Sequence, residues 1–276
     1  MIKLSYTDLN SCKRIIKKVI TQKYFPDHTL LLKTPEFILE EPIHIDWHYE
    51  NDAELFAIIC LAKKAKGKKF LNMPYCPHAR QDRIKNEEDV FTLKYFAEII
   101  NTLGFDEVVI LDPHSTVTEA LFNNIYVENP KEYIEEVINF EIHKDSEELI
   151  LYFPDAGASK RYSDLFPRFK YIYGNKIRTW ETGKIIGTEI VNPFNVDLTN
   201  KTILIIDDIC SRGTTFIKGA EALQKYNVGD IYLWVTHCEN TILLGDIPWG
   251  DLIKRVFTTN SIFTEKHEKI EVLEVE

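Results

Sequence analysis

The chain has 276 residues, 45% of them hydrophobic, and a formal charge of −10 from 33 basic and 43 acidic side chains. That length allows one large domain or two smaller ones, and the acidity speaks against a general nucleic-acid binder, which carries a basic footprint. Cys12, Cys60, Cys76, Cys210 and Cys238 lack CxxC spacing, no apolar run approaches a membrane span, and the N-terminus lacks the apolar core of a signal peptide, so a soluble cytoplasmic protein with reduced thiols is expected.

Along the chain, helical and strand patterns alternate. Leu55, Ile58, Ile59 and Ala62 fall at helical spacing within Asn51–Lys66, and Gly67 follows as a stop signal. Phe70–Met73 is a short apolar strand closed by Pro74, and Thr92–Leu103 is an amphipathic helix ending at Gly104. Four further buried strands are expected at Glu107–Asp112, Leu149–Asp155, Thr202–Asp208 and Ile231–His237, with a helix over Phe216–Tyr226. Gly174–Gly187 is polar and is expected to be a mobile loop.

Continuous apolar strands separated by helices predict doubly wound, mainly parallel α/β sheets. In such sheets ligands bind beyond the carboxyl ends of the strands. Three strands end there in polar side chains: Asp112 with His114, Asp155, and Asp207 with Asp208. The charged stretch near Asn139–Glu148 suggests two similar halves, 1–145 and 146–276, with the ligand between them, although no internal repeat proves a duplication.

The segment ILIIDDICSRGTTF, Ile203–Phe216, is the most informative. Two strand-end carboxylates can accept hydrogen bonds from a vicinal diol, and a Ser/Thr- and Gly-bearing turn at a helix start can cradle a phosphate. A plain core strand followed by a turn is the alternative. The second strong signal is PYCPHARQDR, Pro74–Arg83. Two prolines stiffen a loop after a strand, and Arg80 and Arg83 offer planar forks suited to phosphate oxygens. Taken alone, this loop is equally a solvated one with a local Arg–Asp pair.

Ile203–Phe216 resembles the phosphoribosyl-diphosphate-binding motif of type I phosphoribosyltransferases and ribose-phosphate diphosphokinases. The PYxPxARQDR stretch resembles the ATP-binding signature of the diphosphokinases alone. From Phe25 to Thr259 the order of motifs also resembles that family: Asn51-Asp52-Ala53-Glu54-Leu55, Asp112-Pro113-His114, Phe153-Pro154-Asp155-Ala156-Gly157, Lys176-Ile177-Arg178 and Thr236-His237. The resemblance implies two domains of the type I phosphoribosyltransferase type, an ATP-side N-terminal one and a ribose-phosphate-side C-terminal one. It also implies Mg²⁺-dependent transfer of diphosphate from ATP to the C1 hydroxyl of ribose 5-phosphate, with release of AMP, in a homo-oligomer.

Residue by residue, the resemblance implies that Phe25, Asp27, Arg80, Gln81, Asp82 and His114 hold ATP. His114 and Asp155 would lie at the Mg²⁺ site, and Lys176 and Arg178 would stabilise the migrating diphosphate under a closing loop. Asp207 and Asp208 would hold the ribose hydroxyls, and Ser211, Arg212, Gly213, Thr214 and Thr215 the 5-phosphate. For Phe25 an ordinary buried Phe is an equal alternative.

The chain departs from the family where its DTAGT loop becomes Ser211-Arg212-Gly213-Thr214-Thr215, and where His28-Thr29 replaces Gly-Glu. An added arginine would suit a larger group on the ribose 5-oxygen. ADP-ribose is therefore an alternative acceptor, which would connect the reaction to nicotinamide nucleotide synthesis. A phosphoribosyltransferase would not need the ARQDR segment, and a non-catalytic regulator would not need Lys176, Arg178, His114 and Asp155 together.

Overall fold

The computed structural model describes residues 1–8, 13–20, 23–35, 42–145, 147–178 and 185–275, with the backbone alone at 8, 13–17, 176–178 and 185–187. Its contacts divide into two compact units, Met1–Asn129 and Pro130–Glu276. No helix among the described residues is long and apolar enough to cross a membrane.

The first unit contains β1 (Ile2–Asp8), β2 (Lys13–Ile20), β3 (Lys23–Tyr24), β4 (Leu30–Leu31), β5 (Ile43–Trp47), α1 (Glu54–Lys64), β6 (Lys69–Asn72), α2 (Thr92–Thr102), β7 (Glu107–Leu111), α3 (Thr116–Leu121) and β8 (Ile125–Glu128). Its main sheet runs β2-β1-β5-β6-β7-β8. β5 to β8 are parallel, and β1 and β2 add an antiparallel edge. Burial alternates with side-chain direction: Ile2, Leu4, Ile43, Ile45, Trp47 and Leu71 meet Ala57, Ile58, Leu61 and Leu93 in one core.

The second unit contains α4 (Lys131–Glu136), which runs into a π-helical turn (Val137–Ile142), then β9 (Leu149–Phe153), α5 (Ala156–Tyr162), β10 (Tyr171–Arg178), β11 (Ile185–Val191), β12 (Thr202–Cys210), α6 (Thr214–Gln224), β13 (Ile231–Cys238), β14 (Arg255–Thr259) and β15 (Ile270–Leu273). The sheet order is β11-β10-β9-β12-β13-β14-β15. All pairs are parallel except β10 with β11.

Strand alternation builds two cores here. Ile203 and Ile205 pack with Phe216, Ala220 and Leu223 of α6. Leu204 and Ile206 pack on the other face with Ala158 and Tyr162 of α5. Each fully buried Leu, Ile or Phe contributes roughly 1.5–3 kcal/mol of transfer free energy, so the strand–helix sandwich rather than helix propensity holds α5 and α6 in place.

Two details differ from the sequence reading. Ile134, Val137, Ile138 and Ile142 are buried with Leu149, Leu151 and Phe153, so this helical segment joins the second unit and the division falls between Asn129 and Pro130, ahead of the charged stretch. The polar run from Gly174 is not wholly a loop. Tyr173–Arg178 pairs with Ile185–Val191, and an antiparallel ladder satisfies the backbone polar groups of both segments.

Candidate active site

In the second unit the strand order reverses between β9 and β12. β9 leads through α5 to β10 on one side, and β12 leads through α6 to β13 on the other. Carboxyl ends at such a reversal form a crevice. Asp155 follows β9, and Asp207 and Asp208 lie near the end of β12. Asp155 caps α5: its Oδ1 accepts from Gly157 N at 3.0 Å and Ala158 N at 3.1 Å, which satisfies donors that a helix start leaves without carbonyls.

Asp208 is buried, and its Oδ1 lies 3.0 Å from Arg161 Nη1. Its backbone N donates to Asp207 Oδ1 at 3.0 Å. Asp207 keeps partial solvent contact. Dense surroundings, and then the neighbouring Asp208 charge, push its carboxyl well above the usual range. Adjacent acids at a strand end thus divide the work, with one held by a cation and the other favouring its proton.

β12 then enters α6 through Gly213, whose φ of +80° suits glycine. A Cβ there would overlap the Ile247 side chain, and one at Gly245 would overlap the Arg212 backbone, so the segment after β13 clasps the loop from behind. Phe216 and Ile217 donate to the Gly213 carbonyl. Arg212, Thr214 and Thr215 are exposed and Ser211 is half-buried. A helix start with exposed hydroxyls can receive a phosphate. Lys176 and Arg178 lie on β10, opposite Thr188 and Ile185; their side chains, and residues 179–184, lie outside the described residues.

In the first unit Pro74–Arg83 follows β6. Its start is tied to β7: Met73 N donates to Val109 O and Leu111 N to Pro74 O. Arg83 donates to both Asp82 oxygens, at 2.7 and 2.8 Å, so the local Arg–Asp pair forms. The Arg83 hydrogen bonds draw the buried Asp82 carboxyl down to about 2, helped by Ser115 and the nearby His114. The loop and the Asp112-Pro113-His114 turn are therefore brought together. Asp112, after β7, takes a left-handed φ of 43°, a region that Asp enters more readily than most non-glycine residues. Gln81 accepts from Thr92 Oγ1 at 2.6 Å at the start of α2, and Arg80 is exposed. His78 Nε2 lies 3.1 Å from Asp52, which also accepts from the Tyr49 hydroxyl.

Phe25 and Asp27 lie in the turn between β3 and β4. Phe25 is 49% exposed, which leaves its ring free of a core role. Asp27 Oδ1 accepts from Thr29 N and Oγ1, contacts that hold its carboxyl below the usual range and shape the turn. Arg161, His78 and Ser115 were not anticipated. Each reads locally as a surface cation, a loop residue or a hydroxyl, and only its partner on a distant element reveals a role.

The molecule is thus a mainly parallel α/β protein with its polar groups gathered beyond the carboxyl ends of the strands. No family model matches the sequence. The crystal structure of phosphoribosylpyrophosphate synthetase from Mycobacterium smegmatis shares the fold, with a TM-score of 0.74 at 18% identity over 93% of this chain and 86% of that one. Ribose-phosphate pyrophosphokinase 1 of Candida albicans is 30% identical over 230 residues, covering 79% of this chain and 67% of that protein. Ribose-phosphate pyrophosphokinase of Pyrococcus abyssi is 30% identical over 224 residues, covering 78% of this chain and 74% of that protein. The chain belongs to the ribose-phosphate pyrophosphokinase family. The ADP-ribose acceptor suggested by Arg212 finds no support among these relatives.

Proposed function

We propose that the protein transfers an intact diphosphate group from ATP to the anomeric hydroxyl of ribose 5-phosphate. The C1 oxygen attacks the β-phosphorus, the bond from the β-phosphorus to the α–β bridging oxygen breaks, and AMP departs while the C1 hydroxyl proton is lost. The observation that carries this reading is the β12–α6 junction, where Asp207 and Asp208 precede a glycine-turned helix start. Asp207 and Asp208 accept from the ribose hydroxyls through their carboxyl oxygens, and the Ser211–Thr215 turn holds the 5-phosphate.

Arg80, Gln81, Asp82 and His114 hold ATP in this reading, with Phe25 stacking on the base and Asp27 shaping its turn. Asp82 acts from within the loop by fixing Arg83 and the His114 turn. Lys176 and Arg178 offset the charge that spreads over the migrating phosphoryl oxygens.

No group of three or more His, Cys, Asp or Glu side chains forms a cage among the described residues. Mg²⁺ is commonly held by one or two carboxylates together with substrate phosphates and water, and a half-buried strand-end carboxylate such as Asp155 fits that donor set. When bound, Mg²⁺ neutralises polyphosphate charge. Cys60, Cys76, Cys210 and Cys238 are free thiols, which suits a reducing cytoplasm. A homo-oligomer is the assembly proposed.

The test is AMP release from ATP with ribose 5-phosphate and Mg²⁺, with the product identified by phosphorus NMR. Formation of 5-phosphoribosyl diphosphate is expected. A purified, folded protein that releases no AMP overturns the reading. Lys176→Ala is expected to reduce kcat by about 10²–10³-fold, the scale of a lost transition-state contact; unchanged kcat would remove Lys176 from the machinery.

A further inference from the structure

Arg161 stands near the end of α5, next to Lys160, where a cation commonly does no more than complement the helix dipole. The fold gives it a different environment. Strand alternation along β12 turns Leu204 and Ile206 toward α5, and Asp208 continues that face. Its carboxylate, 4% exposed, meets the Arg161 guanidinium at 3.0 Å, and the arginine is itself only 26% exposed.

The guanidinium is braced from a second side. It lies 5.4 Å from the centre of the Tyr162 ring, and its Nη1 reaches the Tyr162 hydroxyl at 3.4 Å. Tyr162 is fully buried and stacks on Phe153 of β9. A planar fork held by an aromatic neighbour loses less freedom in pairing than a lysine would.

We propose that Arg161 is a positioning residue for the ribose site, holding Asp208 in place and ionised so that it can accept from the sugar hydroxyls. Two considerations lead there. A buried carboxylate beside a second carboxylate is unfavourable without a counter-ion, and Asp208 faces Asp207 from its own strand and Arg161 from α5. The same helix is capped by Asp155 at its other end. One seven-residue helix therefore ties the carboxylate after β9 to the carboxylate at the end of β12.

The inference rests on the ribose 5-phosphate reading above. Its test compares the full-length protein with Arg161→Met, Arg161→Lys and, as a neighbouring control, Lys160→Met. Arg161→Met is expected to raise KM for ribose 5-phosphate roughly 10–100-fold, the scale of one lost charge-assisted contact, with KM for ATP changed less than about twofold. Arg161→Lys should recover part of the loss, and Lys160→Met should match the unaltered protein. A folded Arg161→Met protein with unchanged KM for ribose 5-phosphate overturns the proposal, as does an equal rise in both KM values.

Should Arg161→Met fail to fold, Arg161→Lys carries the kinetic comparison. The carbon-13 NMR signal of the Asp208 carboxyl gives a readout independent of turnover. Its titration midpoint is expected to rise in the variants, and an unmoved midpoint overturns the proposal. Absence of AMP release by the unaltered protein would defeat the functional reading itself, while the NMR comparison would still judge the Arg161–Asp208 pair.

Discussion

Asp82 accepts both arms of the Arg83 guanidinium while also meeting Ser115 and His114. Its folded-state carboxyl lies at about 2, below the ordinary 3.8. Between those values the unfolded chain binds more protons, so this contribution is full above pH 4 and is lost as pH falls through about 2. Asp82→Asn is expected to destabilise the protein by about 1–2 kcal/mol at neutral pH, with the difference from the unaltered protein shrinking below pH 4. Urea titrations at pH 7 and pH 3 check this, and a pH-independent difference would count against it. Asp207 behaves in the opposite sense. Its carboxyl is raised, so the folded state prefers its protonated form and stability is lost as pH rises from the ordinary value through the raised one. Asp207→Asn should therefore raise Tm at pH 7. It should also lower kcat/KM for ribose 5-phosphate at least roughly tenfold, because the proposed acceptor of the ribose diol is lost. A lower Tm would contradict the sign of that effect.

Among the elements, the seating of α6 on the sheet depends on Tyr152 of β9. A Cβ at Gly219 would come within 2.7 Å of Tyr152 Cε1, and one at Gly174 of β10 would come within 2.6 Å of the Tyr152 hydroxyl oxygen and of the Pro154 carbonyl oxygen. Tyr152 thus fills the space left by two glycines. One lies on the helix that follows the proposed phosphate loop and the other on the strand that carries Lys176. Gly219→Ala is expected to cost about 1–3 kcal/mol through overpacking, and adding Tyr152→Leu should recover part of it. Denaturant midpoints of the single and double variants give the coupling; purely additive effects would show that the contact is not shared. The sequence made β6, β7, β9, β12 and β13 legible because continuous apolar runs mark buried parallel strands. The antiparallel pair at one side of each main sheet was harder to recognise. β1 alternates apolar with polar residues, β2 sets them in pairs, and β10 and β11 mix the two kinds, so none carries a continuous apolar run and their pairing shows in backbone hydrogen bonds rather than in apolar patterning.

For the whole molecule, the contacts separate Met1–Asn129 from Pro130–Glu276, and the second unit has its own sheet with a core on each face. A fragment of residues 130–276 is therefore expected to unfold cooperatively by itself, as followed by circular dichroism. A sloping, non-cooperative melt would show that it needs the first unit. The charged stretch near Asn139–Glu148 resembles a linker in the sequence, whereas the contacts divide ahead of it. Ile134, Val137, Ile138 and Ile142 are nevertheless buried against β9, and this could be recognised only with the second sheet in place.

By itself, the sequence determined the mainly parallel α/β class, the family, and the carboxylates at the strand ends, since apolar runs, strand-end acids and loop residues are local patterns. Tertiary structure alone decided which of those groups meet. It turned Arg161 from a helix-end cation into the partner of Asp208, tied Asp82 to Arg83, Ser115 and His114, and turned most of a polar stretch into a hairpin. Charges distant in sequence become neighbours only when burial brings their elements together, and in that less polar setting each then governs the other's ionisation and position.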